Sequence, residues 1–148
     1  MRGKKPIWLS AEEEQEILDC IRVAEQTTSG EIRVHLESMC KTVDPLDRAA
    51  QIFYRLGMEK TQHRNGILLY LSVDDHKIAL IGDSGINRYA CNPFWENTCR
   101  ETTECLRNSG LCKGICLAIR ACAVILAQHF PKNDEDTDEL PNDISISN

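Results

Sequence analysis

The chain has 148 residues, 42% of them hydrophobic and 27% charged, the proportions of an ordinary globular domain. That length suits one domain, and the apolar fraction excludes a disordered chain. Eight glycines and five prolines exclude a collagen-like repeat. The longest uninterrupted apolar run, Ala121 to Ala127, is far short of the ~20 residues a bilayer core demands, so no membrane span is expected.

The first predicted element is a helix. Ser10 is an N-cap with Glu13 in capping-box register, and Ile17, Ile21 and Ala24 follow at helical spacing. Thr27-Thr28-Ser29-Gly30 ends it, with Gly30 free to take a left-handed conformation. Glu31 to Glu37 alternates: Ile32, Val34 and Leu36 point one way, Glu31, Arg33, His35 and Glu37 the other. This predicts a strand with one buried and one polar face. Asp44 and Pro45 open a second helix, lined by Leu46, Ala49, Phe53 and Leu56 and stopped by Gly57. After the turn signal Asn65-Gly66, the run Ile67 to Leu71 is apolar throughout and predicts a strand buried on both faces.

Val73 to His76 is a hairpin loop, and Lys77 to Ile81 the third strand, broken by Gly82-Asp83-Ser84-Gly85. Asn92-Pro93 starts a third helix by the same cap-plus-proline device. A fourth, from about Lys113 to Phe130, carries a wide apolar face. The order α-β-α-β-β-α-α predicts an α/β fold. A βαβ unit with a right-handed crossover plus a hairpin makes a small mixed sheet, flanked by about four helices in a three-layer sandwich.

The net charge of −6 is unevenly placed. Residues 132–148 carry one Lys and six acids, net −5, while residues 1–131 are close to neutral at net −1. Such a body lacks the basic stripe of a nucleic-acid binder, so no nucleic-acid partner is expected. The division predicts a folded domain over 1–131 and a solvated, loosely held acidic tail over 132–148. Leu140, Ile144 and Ile146 are the residues through which that tail could dock instead.

Eight cysteines show no CxxC pair and no zinc-ligand spacing. No secretory signal opens the chain as given, so a cytoplasmic location with reduced, unbridged thiols is the expectation. Their ordinary use is core filling, and a redox role for one of them is the alternative.

Parallel first and second strands place two sets of residues at opposite rims. One rim gathers Ser29, Gly30, Glu31, His63, Asn65, Gly66 and the Gly82–Gly85 segment. The other gathers Glu37, Ser38, Asp74 and Asp75. Ligands of parallel sheets favour the carboxyl ends of strands, the second rim. The local chemistry favours the first, where Asp83 stands between two glycines. A carboxylate beside turned backbone carbonyls suits a hard cation. A glycine-flanked Asp is more often a turn residue that satisfies its own backbone. Glu31, two strand spacings away, and Glu96, near the start of the third helix, are lesser metal-site candidates.

Ser29-Gly30-Glu31-Ile32, Arg64-Asn65-Gly66-Ile67-Leu68 and Gly82-Asp83-Ser84-Gly85-Ile86, with Phe94-Trp95 and Phe130-Pro131, resemble the TPM domain family over about 9–131. The resemblance implies an α/β sandwich with a small central sheet. It also implies divalent-cation binding, Ca²⁺ or Mg²⁺, since several members bind such ions, and a protein partner for a binding or assembly module. A low-activity metal-assisted acid phosphatase is the alternative it implies. Asp83 would hold the metal, Arg64 or Arg88 would approach the phosphate, and His63 would protonate the leaving oxygen. No Cys-x5-Arg loop and no Asp-x-Asp pair after a strand is present, so the phosphatase reading rests on the resemblance alone.

Overall fold

The computed structural model describes residues 8–132 and 144–147. Its elements are α1 (Ala11–Glu25), β1 (Glu31–Glu37), α2 (Pro45–Arg55), β2 (Gly66–Ser72), β3 (Lys77–Gly82), α3 (Ser84–Asn87), α4 (Asn92–Ser109), α5 (Leu111–His129) and β4 (Ile144–Ser147). The sheet runs in the order β3-β2-β1-β4. β1 pairs in parallel with β2 and with β4, and β2 and β3 form the antiparallel hairpin with Ser72 opposite Lys77.

Local chemistry sets the helix ends. Ser10 and Glu13 close the capping box of α1 with reciprocal bonds of 3.0 Å. Asp44 caps α2 by accepting from the Leu46 N–H at 2.9 Å, with Pro45 in the first turn. At α4 the cap is Cys91 and not Asn92, and it makes no side-chain bond. Gly57 and Gly110 adopt φ of +69° and +98° past α2 and α4, where a side chain would be strained. Gly30 does not use left-handed freedom. A Cβ there would come within 2.7 Å of Leu126, so the glycine lets α5 approach the start of β1.

Three layers result. On one face Ile32, Val34, Leu36, Ile67, Leu69 and Leu80 pack against α1 and α5 through Ile17, Ile21, Ile115, Ile119 and Leu126. On the other, Leu68, Tyr70 and Ala79 meet Ala49, Ile52 and Phe53 of α2 and Met58 beyond it. Among the described residues α5 alone is long and apolar enough to cross a bilayer by composition. Here it serves as the central core helix, with eight buried residues.

Two expectations are corrected. The tail is not loosely held at its end: β4 adds a parallel edge strand beside β1, with Ile144 opposite Val34 and Ile146 opposite Leu36. Leu140 and the rest of 133–143 lie outside the described residues. The polar face of β1 is not solvated either, because every residue of the strand is buried.

That burial is resolved by pairing. Glu37, with no exposed surface, receives Arg48 of α2 through Nε at 3.1 Å and Nη2 at 2.7 Å, and the Tyr70 hydroxyl at 2.5 Å. Burial would raise the Glu37 pKa, but these hydrogen bonds outweigh it and hold the carboxyl below its ordinary value. His35 is stacked on Tyr70 and bonded by Ser145 at Nδ1 (2.7 Å) and Ser147 at Nε2 (2.8 Å). The histidine thereby ties β4 to the sheet.

Two outcomes follow from this network. Arg48→Ala leaves a buried carboxylate uncompensated and should cost about 3–5 kcal/mol in urea unfolding. The apolar pair Glu37→Leu/Arg48→Met should cost clearly less. Separately, burial lowers the His35 pKa from 6.5 to about 4, so the fold favours the neutral ring. Its contribution is complete above pH 6.5 and is lost as pH falls from there towards 4, by up to about 3 kcal/mol. Unfolding free energy measured across that window should fall with pH in the native chain and fall less steeply in His35→Gln. Equal slopes would show that other groups dominate.

Candidate functional site at the amino-end rim

Glu31 stands opposite Gly66, and the Asp83 N–H donates to the Gly66 carbonyl at 2.9 Å. The two carboxylates therefore flank β2 in lateral register, roughly 10 Å apart at the backbone by strand spacing. Gly66 between them carries no side chain. A Cβ there would lie 3.4 Å from the Met58 carbonyl oxygen, so a backbone acceptor sits over the notch.

Asp83 caps α3, accepting from the Ser84 N–H at 2.7 Å. Its carboxylate is also clasped by Arg64, Nε to Oδ2 at 2.7 Å and Nη2 to Oδ1 at 2.8 Å. Asp83 is buried, while the Arg64 side chain is 45% exposed. The hydrogen bond and charge of Asp83 hold the Arg64 guanidinium pKa above its ordinary value, with a weaker contribution from Glu59. The backbone of Arg64 is left-handed at φ +51°, and its carbonyl accepts from the Gly85 N–H at 2.7 Å. Gly85 has no room for a side chain, because a Cβ would overlap the His63 and Arg64 carbonyl oxygens.

The loop leading into β2 carries further oxygens. Glu59 Oε2, Thr61 Oγ1 and Asn65 Oδ1 are buried without a hydrogen-bond partner among the described residues. Asn65 is fully buried, with its amide nitrogen 3.4 Å from Ser29 Oγ. An aromatic group stands at the end of α5: His63 lies 6.3 Å from Phe130 between ring centroids, and Tyr89 stacks on His129 at 4.2 Å.

The structure thus brings Asp83 and Glu31 to one rim, as the strand order predicts. Glu96 is exposed on α4 and joins no cluster. Its neighbour Trp95 lies beside Gly82, close enough that a Cβ on the glycine would come within 2.9 Å of the indole. Among the described residues no three His, Cys, Asp or Glu side chains are grouped to hold a metal ion. Arg64 is exposed and at the same time bound to Asp83, and Arg88 is the exposed C-cap of α3. Glu59 and Thr61 escape a reading by sequence because neither belongs to a motif. The one available signal is their place in the loop that ends at Asn65-Gly66.

The opposite rim is knitted shut by its own chain. Val73 N–H donates to the Glu37 carbonyl at 2.7 Å, Asp74 N–H to the Ser38 carbonyl at 2.9 Å, and Cys40 N–H to Asp75 Oδ2 at 3.0 Å. A groove of about 640 Å³ lies beside it, bordered by Ser72, His76, Lys77 and Arg107.

A family model described as the TPM domain matches residues 8–124. The solution structure of the BA42 protein from the psychrophilic bacterium Bizionia argentinensis is 40% identical, with a TM-score of 0.88 over 97% of this chain and 99% of that one. The N-terminal domain of a protein from P. gingivalis is 15% identical, with a TM-score of 0.65 over 86% of this chain and 83% of that one, a likeness of fold alone. No curated protein matches the chain.

The crowding at Gly85 has a direct test. Gly85→Ala forces the Arg64 loop away from α3 and should destabilise the protein by about 1–3 kcal/mol in urea unfolding. Its amide perturbations should centre on His63, Arg64 and Asp83. An unperturbed rim would show that the close backbone approach is not required.

Proposed function

Because the chain belongs to the TPM domain family, we propose that its amino-end rim binds a divalent cation, calcium or magnesium. With the ion bound, the rim acts as a binding or assembly module for a protein partner. The observation that carries the reading is the set of buried oxygens on one loop, Glu59 Oε2, Thr61 Oγ1 and Asn65 Oδ1, that have no hydrogen-bond partner among the described residues, beside a rim holding Asp83 and Glu31. Hard cations take oxygen ligands from carboxylates, amides and carbonyls. Buried acceptors without partners call for an explanation of that kind. Arg64 is the cation that Asp83 holds in the structure, and a divalent ion would take its place.

A metal-assisted phosphatase is the second reading. It is favoured by the position of Arg64, whose exposed guanidinium could receive phosphate oxygens beside a metal on Asp83.

Calcium titration followed by backbone amide shifts tests the first reading. Shifts should concentrate at Asn65, Gly66 and Gly82 to Gly85. Asp83→Asn should weaken binding by about tenfold or more while the melting temperature holds, since the carboxylate charge is the strongest single term. Arg64→Ala removes the competing cation and should tighten binding. Shifts confined to Asp74 to His76, or weaker binding in Arg64→Ala, would overturn the assignment. Calcium-dependent hydrolysis of a phosphomonoester by the native chain, abolished in Arg64→Ala, would favour the second reading.

A further inference from the structure

Between the turn of the β2–β3 hairpin and the joint of α4 and α5 lies the groove of about 640 Å³. It sits at the carboxyl end of β2, where open α/β sheets usually place ligands, beside the loop bonds that close the rim itself. Its floor is apolar. Leu71 belongs to the main core, and Ile78, Leu106 and Leu111 pack against that core half-buried. Small-molecule sites are concave hollows of roughly 300–1,000 Å³, mostly apolar with a few placed polar groups.

The charges of the wall have one sign. His76, Lys77 and Arg107 line it, and no acid does. The Lys77 ammonium is engaged outside the groove, donating to the Val43 carbonyl at 3.3 Å. Arg107, in the last turn of α4, is exposed and makes no hydrogen bond or ion pair among the described residues. Glu104, one turn before it, is not part of the wall, and Asp75 of the hairpin accepts from the Cys40 N–H at 3.0 Å. An unpaired guanidinium therefore stands at the edge of an apolar hollow, in a chain of net charge −6.

His76 is an independent sign. It closes the hairpin turn at φ +56°, the left-handed region where glycine fits without strain and a histidine does not. The turn would close as well with glycine. Histidine puts an imidazole on the groove wall despite the backbone strain, and strain of this kind gathers at ligand sites.

We propose that the groove binds an amphiphilic carboxylate, a free medium-chain fatty acid. Its alkyl chain lies on Leu71, Ile78, Leu106 and Leu111, and its carboxylate meets Arg107 and His76. The planar guanidinium offers paired N–H donors that match a carboxylate, and the imidazole adds a ring N–H. The alkyl chain gains by leaving water in proportion to the area it buries. A small hydrophilic anion would leave the floor unfilled, and a neutral hydrocarbon would leave the arginine unused. The site does not rest on the cation reading, because Gly66 and Asp83 stand at the opposite end of the β2–β3 pair.

The test titrates the isotope-labelled native chain with octanoate and follows the backbone amides. Saturable shifts should appear at Leu71, Val73, His76, Ile78, Leu106 and Leu111, with Gly82 to Gly85 unmoved. Acetate, the head alone, should give none. Octanol, the same chain without the charge, should bind about tenfold more weakly, the equivalent of one charge-assisted contact. Arg107→Gln should weaken octanoate by about fivefold or more and leave octanol unchanged. His76→Gly should weaken octanoate while the melting temperature does not fall, since glycine relieves the turn. Both side chains are exposed, so neither variant threatens the fold. Absence of saturable shifts, equal binding of octanol and octanoate, no effect of Arg107→Gln, or shifts centred on the groove between α1 and α5 would overturn the proposal. So would tighter binding of a leucine-ended tripeptide, or groove amides that move on dilution of the ligand-free chain. Those outcomes would make a peptide or a second copy the occupant.

Discussion

The buried carboxylate of Glu37 is the constraint on which the sheet depends. β1 has neighbours on both sides, and its second face is covered as fully as its first. A charge taken out of water there costs several kcal/mol unless it is paired and hydrogen-bonded. Arg48 supplies the opposite charge from α2, and Tyr70 supplies a hydroxyl from β2. Three consecutive elements of the crossover therefore meet at one carboxylate. Apolar contact between α2 and the sheet is non-directional. The bidentate arginine fixes the rotation and height at which the helix sits.

The same network explains why the two rims differ. In parallel sheets ligands favour the carboxyl ends of strands. Here that end is occupied by Glu37 and by the loop hydrogen bonds from Val73, Asp74 and Cys40 to their neighbours. Among the described residues Ser72 Oγ and Asp75 Oδ1 are buried at this end without a hydrogen-bond partner. The amino end is built differently. Glycines at 66, 82 and 85 keep side chains out, and acceptor oxygens on the 59–65 loop have no partner among the described residues.

Much of this was legible in the chain. The capping box at Ser10, the Asp44-Pro45 start and the hairpin register opposite Lys77 are short-range signals, and each holds in the structure. The pairing that sets Glu31 and Asp83 on either side of Gly66 follows from those elements in order. Three features were not legible, each for a physical reason. Alternation in β1 reads as a polar face towards water, because the pattern cannot report what another element brings to cover it. Ile144-Ser145-Ile146-Ser147 is too short and too embedded in acids to read as a strand. Its partner residues, Val34 to Glu37, lie more than a hundred positions earlier. Arg64 clasping Asp83 needs a left-handed backbone at a non-glycine residue, and no propensity argument favours that.

Arg64 links the backbone of the rim to its charge. Its carbonyl receives the Gly85 N–H, and its side chain neutralises Asp83. The two functions are separable. The Arg64 side chain is 45% exposed whereas Asp83 is buried, so the arginine reaches the carboxylate from the surface while its backbone bond lies in the loop. Under the proposed cation binding, Asp83 would exchange a singly charged organic cation for a doubly charged ion without rebuilding the loop. Under that proposal the affinity of the rim would be set by how many loop oxygens can close on the ion. The glycine-bounded backbone at 82–85 and the carbonyl over Gly66 would then supply backbone oxygens, and the carboxylates the charge.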